Sequence, residues 1–147
     1  MASEPWGSTA MKTCLVLEDS ELIREIAARI LKDLSVTPAE AESAAKALDQ
    51  CRAGKIDAVM LDWDLPAMGA LDFLRGAAEL APEQKPMIIL CATENDPQQF
   101  TLAKAAGAAH YLLKPFDKGS VAAKLAEIGL IDGAAVAPAP RSAATAG

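Results

Sequence analysis

Four small groups of polar residues stand directly behind apolar runs in this 147-residue chain. Glu18-Asp19 follows Thr13 to Leu17, and Asp62, with Asp64 two places on, follows Ala58 to Leu61. Thr93, Glu94 and Asp96 follow Pro86 to Cys91, and Lys114-Pro115-Phe116 follows Ala109 to Leu113. Carboxylates gathered within several ångströms repel one another by kilocalories at an intermediate dielectric. Two responses relieve the repulsion: one acid keeps a proton, or a hard divalent cation binds. A partly hydrated donor set made of oxygen suits Mg2+. No His or Cys cluster offers ligands for zinc. An Asp beside such a cation, with an ammonium group across the cleft, is equipped to accept a phosphoryl group as an aspartyl phosphate. That transfer depends on positioning and charge stabilisation more than on covalent assistance. Lys114 supplies a mobile point charge for a phosphoryl oxygen. A cis peptide at Lys114-Pro115, where the cis form costs little, turns the lysine inward.

These residues meet only if the chain between them folds in one way. Thr13 to Leu17 reads as a buried strand. Ser20 then offers an N-cap, and Leu22, Ile23, Ile26, Ala27, Ile30 and Leu31 recur at helical spacing. Val36 to Ala41 is a weak strand, set at a sheet edge because Pro38 cannot donate to a ladder. Ser43 caps a second helix that ends at Gly54. Ala58 to Leu61 is a strand. Ala70 to Leu80 is a helix stopped by Pro82, and Pro86 to Cys91 is a strand again. Asp96-Pro97 opens a fourth helix that runs to Gly107. Ala109 to Leu113 is the fifth strand, and Asp117 opens a last helix closed by Gly129. Strands without a polar face are buried on both sides, which requires a parallel sheet covered by helices. With right-handed crossovers and the proline-bearing strand at an edge, the expectation is an α/β fold: a (βα)5 doubly wound five-stranded sheet, flavodoxin-like, in the order 2-1-3-4-5. Strand one then lies beside strand three, and Glu18, Asp19 and Asp62 converge at the carboxyl ends of the strands, where such sheets bind ligands.

Composition narrows the class. Hydrophobic residues make up 52%, aromatics only 4%, and the difference is largely 32 alanines, which favour helices packed closely on aliphatic strands. A net charge of −6 without any basic run argues against nucleic acid as a partner. The longest apolar run, Met87 to Ala92, is far too short for membrane insertion. The N-terminus has neither the cationic start nor the apolar stretch of a secretory signal. Three cysteines, an odd number without metal-ligand spacing, fit a reducing compartment, the cytoplasm, as packing residues. Residues 1–11 read as a flexible tail in which Met11 is a candidate natural start and the ten residues before it an alternative one. Residues 12–131 read as one domain, and 132–147 as a disordered low-complexity tail.

Four ordered motifs carry a family resemblance: LEDS (17–20), VMLDWDLPAMG (59–69), IILCATEND (88–96) and HYLLKPF (110–116). Together they resemble the receiver domains of two-component response regulators over about residues 12–131, and within them the stand-alone, chemotaxis-type branch. The resemblance implies that Glu18 and Asp19 are the metal-binding acidic pair and Asp62 the phosphoacceptor. It makes the main-chain carbonyl of Asp64 a further Mg2+ ligand, Lys114 the phosphoryl-contacting lysine and Tyr111 the aromatic switch. It also implies a histidine kinase or histidine phosphotransfer protein as donor. The output is then a target protein on the face of the fourth helix, fifth strand and last helix. Only sixteen residues follow Ile131, so the expectation is a single-domain regulator without an output domain.

The sequence departs from the pattern at the switch hydroxyl. Spacing from Asp62 and from Lys114 puts that position on Ala92, with Thr93 next to it. A lost hydrogen bond to a charged oxygen removes roughly 1.5–3 kcal/mol of coupling. This supports a second reading, a divergent receiver-like interaction module whose output is independent of phosphorylation. In the loop after Asp62 the usual Met-Asp-Gly is Met68-Gly69-Ala70, so the third helix has a different start. Asp62-Trp63-Asp64 also prompts a small phosphatase of the haloacid dehalogenase type. That family needs a later acidic pair and usually a cap, whereas here the acidic pair comes first. His110, the lone histidine, reads as an exposed or packed side chain, and Trp63 as an apolar group at the cleft mouth.

Overall fold

Thr13–Leu17 forms β1, Thr37–Ala41 β2, Ala58–Asp62 β3, Met87–Ala92 β4 and His110–Leu113 β5. The computed structural model describes residues 12–92, 101, 103–105, 107–108 and 110–132. In it the strands make one parallel sheet in the order β2-β1-β3-β4-β5. The expected order and class are therefore observed, with the proline-bearing strand at the edge. Helices α1 (Glu21–Asp33), α2 (Ala44–Ala53), α3 (Gly69–Ala78) and α4 (Lys118–Glu127) pack on the sheet. Residues 101 and 103–105, between β4 and β5, are also helical. The expected start of that helix at Asp96-Pro97 lies outside the described residues, as do 1–11 and 133–147.

Capping residues set the helix starts. Ser20 Oγ accepts the Ile23 N–H at 3.3 Å, and Ser43 Oγ accepts the Lys46 N–H at 3.3 Å. Asp117 Oδ1 accepts the Ser120 N–H at 2.8 Å, and Ser120 Oγ accepts the Asp117 N–H at 3.0 Å, a reciprocal cap at the head of α4. The expected third helix, Ala70 to Leu80, is shifted. It starts at Gly69 after a turn in which Ala67 (φ 56°) and Met68 (φ 60°) are both left-handed. It ends two residues early because the N–H groups of Glu79 and Leu80 turn back to the carbonyls of Gly76 and Ala77, tightening the last turn. Gly54 ends α2 in an extended conformation (φ −146°) rather than a left-handed one.

The core has two halves, one on each face of the sheet. Leu15, Leu17, Val59, Leu61, Ile88 and Leu90 pack against α2 and α3 through Ala47, Cys51, Phe73, Leu74 and Ala77. Cys14, Val16, Ala58, Met60, Ile89, Cys91 and Leu112 pack against α1 and α4 through Ala27, Leu31, Val121 and Leu125. Alternate residues of each strand thus serve opposite halves. All three cysteines are buried free thiols, and they pack as expected.

Candidate functional site

The alternation that builds the core also aims the site. Val16, Met60 and Leu112 belong to the half covered by α1 and α4. Two residues beyond them stand Glu18, Asp62 and Lys114. The ladder continues through these positions. The Glu18 N–H donates to the Ala41 carbonyl at 3.1 Å, and the Lys114 N–H donates to the Ala92 carbonyl at 2.8 Å. Asp62 is still in register with Cys91. Two acids and a lysine therefore emerge from one face of the sheet at its carboxyl edge.

They meet there. Lys114 Nζ donates to Asp62 Oδ1 at 2.8 Å and stands 3.7 Å from Glu18 Oε1 and 3.9 Å from Asp64 Oδ2. Asp62 Oδ1 also accepts the Asp64 N–H at 3.0 Å. Glu18 Oε2 accepts the Ser20 N–H at 3.2 Å. Glu18 and Asp62 are the buried charged residues among the described ones, 6% and 3% exposed, while Asp19 lies open at the rim. One carboxylate oxygen each from Glu18, Asp19 and Asp62 lies within 4.8 Å of the others.

The charges do not balance. Burial, reinforced by the charge and hydrogen bond of Asp62, pushes the Glu18 carboxyl up to about 7, although the Ser20 N–H and Lys114 pull it down. Burial works against the Lys114 ammonium, but the hydrogen bond and charge of Asp62, with Glu18 and Asp64 beyond, hold it above the ordinary lysine value. Without a cation, Glu18 thus holds its proton to a higher pH than an ordinary glutamate. The donor set, three carboxylate oxygens with one open side and no imidazole or thiolate, has the chemistry of a hard-cation site and fits Mg2+.

Comparison with known proteins assigns the chain to a family. The family model of the response regulator receiver domain matches residues 14–126. The chain belongs to that family. The chemotaxis protein CheY of Pseudomonas aeruginosa is 31% identical over 116 residues, covering 78% of this chain and 93% of that relative. Vibrio cholerae CheY4 has a solved structure with a TM-score of 0.76 at 25% identity, covering 81% of this chain and 99% of that one. A response regulator from Burkholderia pseudomallei, solved with a phosphorylated aspartic acid, a calcium ion and citrate, has a TM-score of 0.69 at 25% identity. That match covers 78% of this chain and 66% of the other.

The remaining expected residues lie at different distances from the Glu18, Asp62 and Lys114 cluster. Tyr111 on β5 is 41% exposed, and Lys124 Nζ lies 5.7 Å from its ring centre. His110 faces Glu127, with Nδ1 4.0 Å from Oε2. Trp63 is half-buried against the α2 and α3 half of the core, and its N–H donates to the Cys91 carbonyl at 2.8 Å. Ala92 is buried at the end of β4, with its carbonyl on the Lys114 N–H. Thr93 lies outside the described residues. The Lys114–Pro115 peptide is cis. One polar residue escaped the sequence reading. Arg24 of α1 donates from Nη1 to the Glu18 carbonyl at 2.8 Å and from Nε to Glu40 Oε1 at 3.3 Å, with its side chain only 14% exposed. Its position among Ile23, Ile26 and Ala27, on a helix otherwise read by its apolar stripe, was the available signal.

Proposed function

We propose that this receiver accepts a phosphoryl group from a histidine kinase or histidine phosphotransfer protein onto Asp62, and that the phosphorylated chain signals through a protein contact. The observation that carries the proposal is Lys114 Nζ seated on Asp62 Oδ1 at 2.8 Å inside a ring of acids. The Asp62 carboxylate attacks phosphorus, and the bond from phosphorus to the donor's imidazole nitrogen breaks with its electron pair leaving on nitrogen. The product is an acyl phosphate. Lys114 exchanges its carboxylate oxygen for a phosphoryl oxygen, a task suited to a point charge on a flexible stem. Glu18, Asp19, Asp62 and the Asp64 main-chain carbonyl are the groups that would hold Mg2+. Bound there, the ion supplies positive charge against the phosphoryl oxygens. Loss of the phosphoryl group to water is the only other chemistry in this proposal, so the protein is a phosphoacceptor and not a turnover enzyme.

The proposal seats the donor in a groove beside Lys114. A groove of about 350 Å³ lined by Ile23, Ile26, Pro115 and Phe116 ends on Lys114 itself. Ile26 in this groove is 44% exposed and Leu22, one helical turn before it on α1, is 65% exposed, apolar surface that fits the apolar face of a partner helix. On the output side, phosphorylation shifts a pre-existing equilibrium on the face that includes β5 and α4, where Tyr111 is the reporting side chain. The match along 93% of the P. aeruginosa CheY supports a single-domain, chemotaxis-type role. Among the described residues no helix is long and apolar enough to cross a membrane. The buried free thiols support action in the reducing cytoplasm.

Ala92 favours a second reading, a receiver-like module whose partner contact does not depend on phosphate, because the end of β4 offers a methyl group where a hydroxyl would grip the phosphoryl oxygen. Intact-mass measurement after incubation with acetyl phosphate and Mg2+ decides between them. A gain of one phosphoryl group, absent in Asp62→Asn, supports phosphoacceptor signalling. No gain supports the phosphate-independent module.

A further inference from the structure

We infer that Arg24 is a positioning residue that sets the pocket's affinity and selectivity for Mg2+, by fixing the peptide that joins Glu18 to Asp19. The inference rests on the reading of that pocket as a Mg2+ site. Among the described residues, no hydrogen bond or ion pair holds the Asp19 carboxylate. Its direction is therefore inherited from the backbone that carries it. Glu18 is gripped three ways: its N–H by the Ala41 carbonyl, its carboxylate by the Ser20 N–H and Lys114, and its carbonyl by Arg24 Nη1 at 2.8 Å. The last of these orients the peptide plane leading into Asp19.

Arg24 is in turn held from outside the pocket. Its Nε donates to Glu40 Oε1 at 3.3 Å. Glu40 lies on β2 opposite Val16 of β1, and its own carbonyl accepts Gln50 Nε2 of α2 at 2.8 Å. A planar guanidinium with two acceptors fixed on different N–H groups has little freedom to turn, and a lysine ammonium cannot reproduce the fork. The support therefore runs from α2 through β2 to α1 and ends on the bond before Asp19. Mg2+ demands near-ideal octahedral geometry at short distances, whereas Ca2+ accepts variable geometry. A loosened Asp19 therefore penalises Mg2+ more than Ca2+.

The sign of the effect separates this role from simple charge. A cation behind an acidic pocket repels Mg2+, so if Arg24 acted only through its charge, Arg24→Ala would tighten binding. The test is calorimetric titration of wild type, Arg24→Lys, Arg24→Ala and Glu40→Gln with MgCl2 and with CaCl2, with thermal unfolding in EDTA to verify the fold. Arg24→Lys and Arg24→Ala are expected to weaken Mg2+ binding about ten-fold or more, with a smaller loss for Ca2+. Glu40→Gln keeps an acceptor oxygen for Nε and is expected to stay close to wild type. If Arg24→Ala does not fold, Arg24→Lys decides, since it retains charge and stem. Folded Arg24 variants that bind Mg2+ as tightly as wild type, or lose both ions equally, overturn the inference and leave the pocket reading intact. A wild type that binds no Mg2+ overturns the pocket reading itself.

Discussion

Lys114 Nζ and Asp62 Oδ1 meet at 2.8 Å although 52 residues separate them and β4 lies between their strands. The two side chains close the gap of two strand spacings from opposite sides, and the strand between them ends in the small Ala92. This pair is the counter-charge for a nearly buried acid. Replacing the ammonium leaves the buried Asp62 carboxylate without its cation, and breaking a buried pair from one side costs about 3–5 kcal/mol. Lys114→Met is therefore expected to lose about 3 kcal/mol of metal-free stability in urea unfolding, and to label poorly with acetyl phosphate. A variant as stable as wild type would show that the contact carries little of the fold.

Glu18 gives the pocket a pH dependence with a definite sign. Its carboxyl titrates at about 7 in the folded chain against an ordinary value of 4.5. Between those values the folded chain binds more protons than the unfolded one, so metal-free stability falls as pH rises through that window and then levels off. The loss is on the order of a few kcal/mol, because each ten-fold difference in proton affinity between the two states is worth about 1.4 kcal/mol. A cation must displace that proton, so Mg2+ affinity is expected to rise with pH toward 7 and flatten above it. Urea unfolding and Mg2+ titration across this range check both trends, and Glu18→Gln should abolish both slopes.

Ala67 sits at φ 56° in the turn between Asp62 and α3. A left-handed conformation costs an alanine about 1–2 kcal/mol, and asparagine tolerates it better. Ala67→Asn is expected to raise stability by about 1 kcal/mol in urea unfolding without changing phosphoryl labelling. No gain would mean that the turn is relaxed by its neighbours.

The cysteines should be chemically silent. Burial pushes the Cys14 thiol up to about 12 and the Cys91 thiol higher still, and burial raises Cys51 as well. A thiolate is the reactive form, so iodoacetamide at mildly alkaline pH should leave the native chain unmodified and label all three thiols after unfolding. Mass spectrometry of native and denatured samples reads the difference.

The sheet order and the polar strand ends were legible because both follow from short-range regularities. Apolar runs without alternation mark buried strands, Pro38 marks the edge, and each run stops at an acid or a lysine. Ser20, Ser43 and Asp117 were legible as caps for the same reason: a side-chain oxygen beside its own helix needs no tertiary context. The start of α3 was not, because it follows two consecutive left-handed residues, Ala67 and Met68, and neither alanine nor methionine is a residue type that signals that backbone. Arg24 escaped because its main acceptor is a backbone carbonyl, which no residue pattern records. The protonated state of Glu18 also depends on depth of burial, which the order Glu18-Asp19 does not reveal.

Locating the phosphoryl group on the chain tests the central claim most directly. After labelling with acetyl phosphate and Mg2+, borohydride reduction converts an aspartyl phosphate to homoserine, and peptide mass spectrometry reads its position. Homoserine at position 62, much reduced in Lys114→Met and lost in EDTA, is the expected result. Homoserine at 19 or 64, or an unlabelled chain in saturating Mg2+, would contradict Asp62 as the phosphoryl acceptor.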